Sequence, residues 1–548
     1  MKKISINKKY VIWISLVLII ALGIYLRSYH INYPTIGYHN MKEDEFLSFA
    51  VNMHDSGDYF RTTWFDCSVS TNDYYGNPYE KCNFNEGETP VSIWSMILFF
   101  SIFGWKLWVA RLFIILFSIG TIIILYLIVK KLSDKEYLAV LSSLFYAMLP
   151  LAVFFGRNIQ MDSPSLFLGL CALYFLLLWI DNRKFSTFVW AAAFIILTSF
   201  FKITTLVVLA PLIFLLPYKE LINKKYWREY IVIAITLILS VSWMVFIAGM
   251  LMPYANVSAI GSGKFIGANN WIDLSFSIFS GKYWTDYGLL LKSYASDNYS
   301  MVGLWSILLG FCLFLIKYKS KISKFMIGYA IGIIIYIILF AYKWNAHNYY
   351  QFPFLGFAAI CLANIIFQFG VIIAKVTKIK YLQFVPLLLI ILFIAPFTKS
   401  TMQQFNTQFY GQDIAGKYIN EHTEKGEIFL LERSIQGQVS WEARRFYYSI
   451  PDNVSTLEKI EKEKNLRYIV LTNYGISTVQ QKGTWNYIQN NYHIAQAGFI
   501  QTGQGSQLYH LVLERGGTFN ISQLNSKQPN LAETYELSIA KVPYYVIG

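Results

Sequence analysis

The chain has 548 residues, of which 55% are hydrophobic and only 14% charged, too few charges for an ordinary soluble domain. Its formal net charge of +14 does not indicate a nucleic-acid partner, because Lys and Arg fall in short clusters between apolar blocks rather than along one polar face. The apolar blocks run for about 18 to 25 residues, enough to cross a hydrocarbon core of about 30 Å, so the expected surroundings are a lipid bilayer.

The first block, 10–26, follows Lys2, Lys3, Lys8 and Lys9 and ends in Arg27. No small-residue cleavage site follows, which favours a membrane span over a signal peptide. With the basic N-terminus inside, residues 28–104 form a large polar external loop. Its last part, 91–104, is apolar but short for a span and suits an interfacial or re-entrant helix. Spans are then expected at 105–129, 136–155, 163–180, 185–201, 203–217 and 229–250. A second external loop, 251–298, is rich in Gly, Asn and aromatics, and spans at 299–316, 325–342, 352–372 and 381–397 complete about eleven transmembrane helices. The basic clusters around Lys130, Arg183, Lys224, Lys321 and Lys378 occupy every second loop, as the positive-inside rule requires.

Residues 1–400 thus read as a transmembrane domain and 401–548 as a separate external one. From Asp413 onward, helical patterns alternate with β-rich runs at 428–431, 468–471 and 508–513, the signature of a small soluble α/β domain. It has no obvious acid pair or metal cluster, so acceptor or glycan binding is expected of it. Cys171, Cys312 and Cys361 fall within spans as small packing residues. Cys67 and Cys82 share the first external loop, where a disulfide and two free thiols are both open. Sequons begin at Asn256, Asn298, Asn453 and Asn520, at a frequency that chance explains in an Asn-rich chain.

Carboxylates at a membrane boundary are costly unless paired, hydrated or used. Glu43, Asp44 and Glu45 stand in the external loop after the first span, and Asp162 stands just past the third span in Gly156-Arg157-Asn158-Ile159-Gln160-Met161-Asp162. Both groups are expected at one membrane face, together with Arg27, Arg157 and Lys202. Taken singly, each of these cations also suits a snorkelling headgroup anchor. Together, an acid such as Asp44 can take the proton of an acceptor hydroxyl while Lys and Arg hold a phosphate leaving group. A third element, Lys343-Trp344-Asn345-Ala346-His347-Asn348-Tyr349-Tyr350, offers an imidazole and planar rings suited to phosphate and sugar.

In this order the elements resemble the GT-C glycosyltransferases, especially the protein O-mannosyltransferase and aminoarabinose transferase group, over about residues 20–360. The matching parts are Asp44-Glu45, Glu88-Thr89-Pro90, Arg157 to Asp162, Phe200-Phe201-Lys202 and His347 to Tyr350. The resemblance implies an α-helical polytopic membrane protein of the GT-C type in the cell membrane, carrying a small C-terminal α/β domain. It also implies a polyprenyl-phosphate-linked sugar donor and a hydroxyl-bearing acceptor. By it, Asp44 is the catalytic base with Glu45 as the fallback, and Asp162 is a second active-site acid. Arg27, Arg157, Lys202, His347, Tyr349 and Tyr350 would bind the donor phosphate. Glu88 and His347 are candidate ligands for a divalent metal cation, which the chemistry admits without requiring. The sequence departs from the pattern in having Glu88-Thr89-Pro90 where relatives often have a Pro-Pro pair.

Three other readings fit less well. A secondary transporter would show internal repeats and charges at the midplane of its spans. An oligosaccharyltransferase-like enzyme would carry a Trp-Trp-Asp signature in its C-terminal domain, and a sensor would leave the acidic loop without a role.

Overall fold

The computed structural model describes residues 8–60, 65, 89–221, 224–251, 276–432, 437–502, 505–526, 528–537 and 540–548. Cys67, Cys82, Glu88 and Asn256 lie outside the described residues. The chain forms two compact units. One takes Met1–Ile31, Phe99–Leu251 and Ser258–Met402, and the other takes Asn32–Leu98 together with Gln403–Gly548.

The first unit is a bundle of helices, and each of the eleven expected spans coincides with a helical segment. Helices run over Lys8–Arg27, Leu107–Ser133, Glu136–Met148 with Pro150–Phe154, Asp162–Asn182, Phe185–Lys202, Trp227–Leu251, Met301–Ile316, Lys321–Leu339 and Leu355–Thr377. The stretches Ile203–Phe214 and Lys380–Ile390 are 3-10 helices, the second continuing into Ile391–Gln404. Among the described residues, seven helical stretches are long and apolar enough to cross a membrane by themselves. The number becomes eight if Gly281–Tyr299 and Met301–Ile316, which meet at 83°, form one span. Tyr10, Trp13, Ile14, Val17 and Leu18 on the first helix are all more than half exposed, a face suited to lipid. The chain is a multi-pass membrane protein. The short apolar segment at the end of the first loop is the helix Pro90–Phe103, too short to span.

Phe185–Phe214 is one uninterrupted apolar stretch, yet it contains a reversal. Lys202 is extended, with φ −165° and ψ 99°. Beyond it Thr205 shares a 2.9 Å hydrogen bond with Ser165. A Cβ built on Gly169 would lie 2.9 Å from Val208 and 3.5 Å from Thr198. Residues 202, 205 and 208 therefore meet 162, 165 and 169 in order, and the chain climbs to Lys202 and turns back. The 12 residues of the returning 3-10 segment rise about 2 Å each, so they reach about 24 Å where an α-helix would give about 18 Å.

The bundle has two chemically different ends. At one, Lys131 pairs with Asp181, Lys321 approaches the same carboxylate at 3.2 Å and Arg183 pairs with Glu220 at 2.8 Å. The 21-residue helix Asp162–Asn182 carries Asp162 to the other end, about 30 Å away at 1.5 Å per residue.

The second unit is built on a seven-stranded sheet in the order β2-β1-β3-β5-β4-β7-β6. β1 (Phe429–Leu431), β2 (Tyr447–Ser449) and β3 (Tyr468–Thr472) are parallel; β4 (Tyr492–Thr502), β5 (Gly505–Arg515), β6 (Asn530–Glu536) and β7 (Lys541–Ile547) pair antiparallel. Leu457 and Ile460 of the helix Val454–Lys464 pack on Leu430, Ile469, Leu471, Leu511 and Leu513 in the core.

The first loop is part of this same unit. Ile36 is fully buried against Ile500, Tyr535 and Tyr544, and its carbonyl accepts from the backbone N–H groups of Gln408 and Phe409, each at 2.9 Å. Gly37 forms a β-bridge with Thr407. Asp55 pairs with Lys425 at 3.1 Å. Phe65 accepts a hydrogen bond from Tyr447 N–H at 3.0 Å on the outer edge of β2 and packs edge-on against Phe446. The segment that carries the acidic cluster is thus folded onto the C-terminal residues.

Candidate active site

In the bundle, sequence-distant groups converge at the Asp162 end. Asp162 is in the first turn of its helix and buried. Its carboxylate meets Lys202 Nζ at 2.6 Å, and the reversal after the Phe185–Lys202 helix is what points this Lys back at it. The same ammonium sits 4.7 Å from the ring centre of Tyr349 and 4.8 Å from that of Tyr350, an attraction worth roughly 0.5–2 kcal/mol per contact. Tyr349 and Tyr350 stack with centroids 4.9 Å apart, and exposed His347 stacks on Tyr349 at 5.1 Å. Five expected site residues therefore form one group. An ammonium paired with a buried carboxylate and bordered by flat rings is chemically fit to hold a phosphate beside a sugar.

This turn has its own support, which the sequence reading missed. Asn298 and Asn348 exchange hydrogen bonds, Asn298 Nδ2 donating to Asn348 O at 3.1 Å and Asn348 Nδ2 to Asn298 Oδ1 at 3.0 Å. Asn298 Nδ2 also donates to Gln351 Oε1 at 3.0 Å. Asn298 is fully buried, so this sequon asparagine is a structural amide.

The arginines occupy a different place. Arg27, the last residue of the first helix, is fully buried. Its guanidinium donates to Ser118 Oγ at 2.7 Å, Ala147 O at 3.0 Å and Gly23 O at 3.2 Å. These bonds tie three helices together, and phosphate binding by Arg27 remains an expectation. Arg157 Nη1 donates to the carbonyls of Tyr29 and His30 at 2.7 and 2.6 Å. Arg111, absent from the sequence reading, reaches the carbonyls of His30 and Ile31 at 3.1 Å each. Both cations donate to carbonyls just past the C-terminus of the first helix, where the helix dipole favours positive charge.

The acidic pair belongs to the second unit. Asp44 and Glu45 lie on the helix Asn40–Ser56. Asp44 is buried, and the Thr35 hydroxyl donates a hydrogen bond to its Oδ1. Glu45 instead forms an ion pair with Lys42 at 2.7 Å, one helical turn back. Glu45 thus has a basic partner on its own helix, and Asp44 accepts from the Thr35 hydroxyl. Among the described residues no group of three or more His, Cys, Asp or Glu gathers to hold a metal ion, and Glu88 lies outside them.

Residues 87–246 match the family model of the dolichyl-phosphate-mannose-protein mannosyltransferases. In fold, the chain is similar to ArnT from Cupriavidus metallidurans in the apo state, with 12% identity and a TM-score of 0.56 over 94% of this chain and 99% of that one. The undecaprenyl phosphate complex of ArnT gives 11% and 0.52, covering 91% and 98%. The archaeal oligosaccharyltransferase AglB from Archaeoglobus fulgidus, in complex with an inhibitory peptide and a dolichol-phosphate, gives 12% and 0.56, covering 91% of this chain and 74% of AglB. No curated protein matches the chain by sequence.

Proposed function

We propose that the chain transfers a sugar from a polyprenyl-phosphate donor to a hydroxyl acceptor, with inversion, at the extracytoplasmic face of the cell membrane. The observation that carries this reading is the Lys202 ammonium, held by Asp162 at 2.6 Å over the rings of Tyr349 and Tyr350. That group stands at the end of the bundle opposite the Lys131, Asp181 and Lys321 cluster, and the positive-inside rule puts the basic end in the cytoplasm. Support for a lipid-phosphate donor also comes from the ligands of the similar structures, undecaprenyl phosphate on ArnT and dolichol-phosphate on AglB.

In the proposed reaction the acceptor oxygen bonds to the anomeric carbon as the bond from that carbon to the phosphate oxygen breaks. Asp44 takes the acceptor proton, and the departing phosphate keeps the electron pair and rests on Lys202. Asp162 then positions Lys202 rather than acting as a second acid, and Tyr349, Tyr350 and His347 border the donor. Arg157 holds the end of the first helix beside this region. A divalent metal on Glu88 and His347 remains part of the proposal, and dialysis against EDTA with metal add-back tests it. The C-terminal sheet is assigned the acceptor.

The decisive experiment is transfer by the purified protein from a panel of polyprenyl-phosphate sugars to alcohol and peptide acceptors. Turnover that requires a lipid-phosphate donor and inverts the anomeric centre is expected. Transfer to a peptide Asn amide in place of a hydroxyl would favour an oligosaccharyltransferase-type enzyme.

A further inference from the structure

We infer that Thr35 is a positioning residue for the carboxylate of Asp44, and that the C-terminal residues of the chain act in transfer by fixing Thr35. The inference rests on the assignment of Asp44 as the base. A carboxylate that takes a proton from an attacking hydroxyl must present a defined oxygen in a defined direction, because small misplacements cost large factors in rate. Asp44 is buried on its helix, and the Thr35 hydroxyl donates to Oδ1, which fixes the rotation of the carboxylate about its last bond.

Thr35 has little freedom of its own. It is buried and lies between two anchored neighbours. On one side, the Tyr33 hydroxyl accepts from the backbone N–H of Glu536 at 3.0 Å and shares a 2.6 Å hydrogen bond with Thr407. On the other, the Ile36 carbonyl accepts from Gln408 and Phe409, its side chain is enclosed by Tyr535 and Tyr544, and Gly37 is bridged to Thr407. Every one of these partners comes from residues 407–544. The segment 33–37 is thus an extra piece of the C-terminal fold, and Thr35 passes its fixed position to Asp44.

The test uses the full-length protein in detergent, measuring kcat for transfer and the equilibrium Kd for a polyprenyl-phosphate sugar separately. Thr35→Val keeps the branched shape and deletes the donor. It should lower kcat on the order of tenfold, the worth of one hydrogen bond to a charged group, with donor Kd unchanged. Thr35→Ser keeps the hydroxyl and should restore most of the rate. Tyr33→Phe, which cuts the link to Glu536 and Thr407, should lower kcat severalfold at unchanged Kd, and it serves as the test if Thr35→Val does not fold. A wild-type kcat in Thr35→Val, or a Thr35→Ser as slow as Thr35→Val, overturns the positioning role. Asp44→Asn in the same assay separates the two ideas: an inactive Asp44→Asn beside a wild-type Thr35→Val removes only the role of Thr35, whereas an active Asp44→Asn removes the base.

Discussion

Lys202 and Asp162 stand 40 residues apart in the chain and 2.6 Å apart in the bundle, one at the end of a helix and the other at the start of the helix before it. Asp162 is the more deeply buried partner, with 5% side-chain exposure against 20% for Lys202. Removing Lys202 therefore takes the ion-pair partner from a buried carboxylate. Lys202→Ala should destabilise the protein by about 3 kcal/mol, as when a buried pair loses one member, and should also weaken donor binding. Lys202→Met combined with Asp162→Asn should regain stability but not donor affinity. Thermal unfolding in detergent and donor titration separate the two effects; additive losses in the double variant would show that the pair is uncoupled.

For Asp44 the expected loss is in turnover. Asp44→Asn keeps the size of the side chain and can still accept the Thr35 hydrogen bond, but it cannot take a proton. Transfer should fall by about 10²- to 10⁴-fold, the usual contribution of a placed general base, at unchanged donor Kd. Glu45→Gln should be mild, because Glu45 is paired to Lys42. Steady-state rates for both variants decide the matter, and near-normal transfer in both would remove the acidic cluster from the mechanism.

Gly156 immediately precedes Arg157 and lies against the Arg27 tie. A Cβ there would come within 2.6 Å of both Arg27 Nε and Ser118 Oγ, and within 2.2 Å of Ala152 O. Gly156→Ala should thus push Arg27 off Ser118 and destabilise the bundle by about 1–3 kcal/mol, the usual range for overpacking. A lowered melting temperature with unchanged donor Kd per folded molecule is the expected result. Weaker donor binding would instead support the phosphate-binding expectation for Arg27.

The spans were legible because helix-length apolar blocks are punctuated by basic clusters, and even the turn at Lys202 is marked by a charge within an apolar run. The roles of the arginines were not legible. Arg27 and Arg157 both stand at predicted span ends, and only the folded bundle shows that Arg27 faces Ser118 and that Arg157 faces the carbonyls of Tyr29 and His30. Strands β1, β3 and β5 were visible as apolar runs. β6 is almost wholly exposed, so its residues carry no hydrophobic signal. The union of the first loop with the C-terminal residues depends on pairs such as Tyr33 and Thr407, 374 residues apart, and no local pattern encodes such a contact. This union also changes the expected result of truncation. Ending the chain near Lys399 would remove the partners of Tyr33 and Ile36, so transfer itself should fail, and not acceptor use alone.

The C-terminal unit should also be acid-sensitive through His510. This imidazole is fully buried, bonded to Tyr544 at 2.6 Å and Gln496 at 3.0 Å, and burial lowers its pKa from 6.5 to about 3. Above pH 6.5 the ring is neutral both folded and unfolded and adds no pH dependence. Between pH 6.5 and about 3 the unfolded chain binds a proton that the folded chain excludes, so stability falls as pH falls, by up to about 1.4 kcal/mol per pH unit. Asp413, buried and accepting from Tyr535 at 2.6 Å, works in the opposite direction. Burial raises its pKa, so its folded form takes up a proton first and gains stability as pH falls through that raised value. The net slope should therefore be shallower than His510 alone would give. In His510→Gln the histidine contribution disappears, and those of the carboxyls that burial raises, Asp413 and Glu442, remain. Thermal melts of the full-length protein at pH 7, 6, 5 and 4, followed by intrinsic tryptophan fluorescence, should show wild-type stability falling more steeply with acid than that of the variant. Parallel curves for the two proteins would mean that His510 is protonated inside the fold.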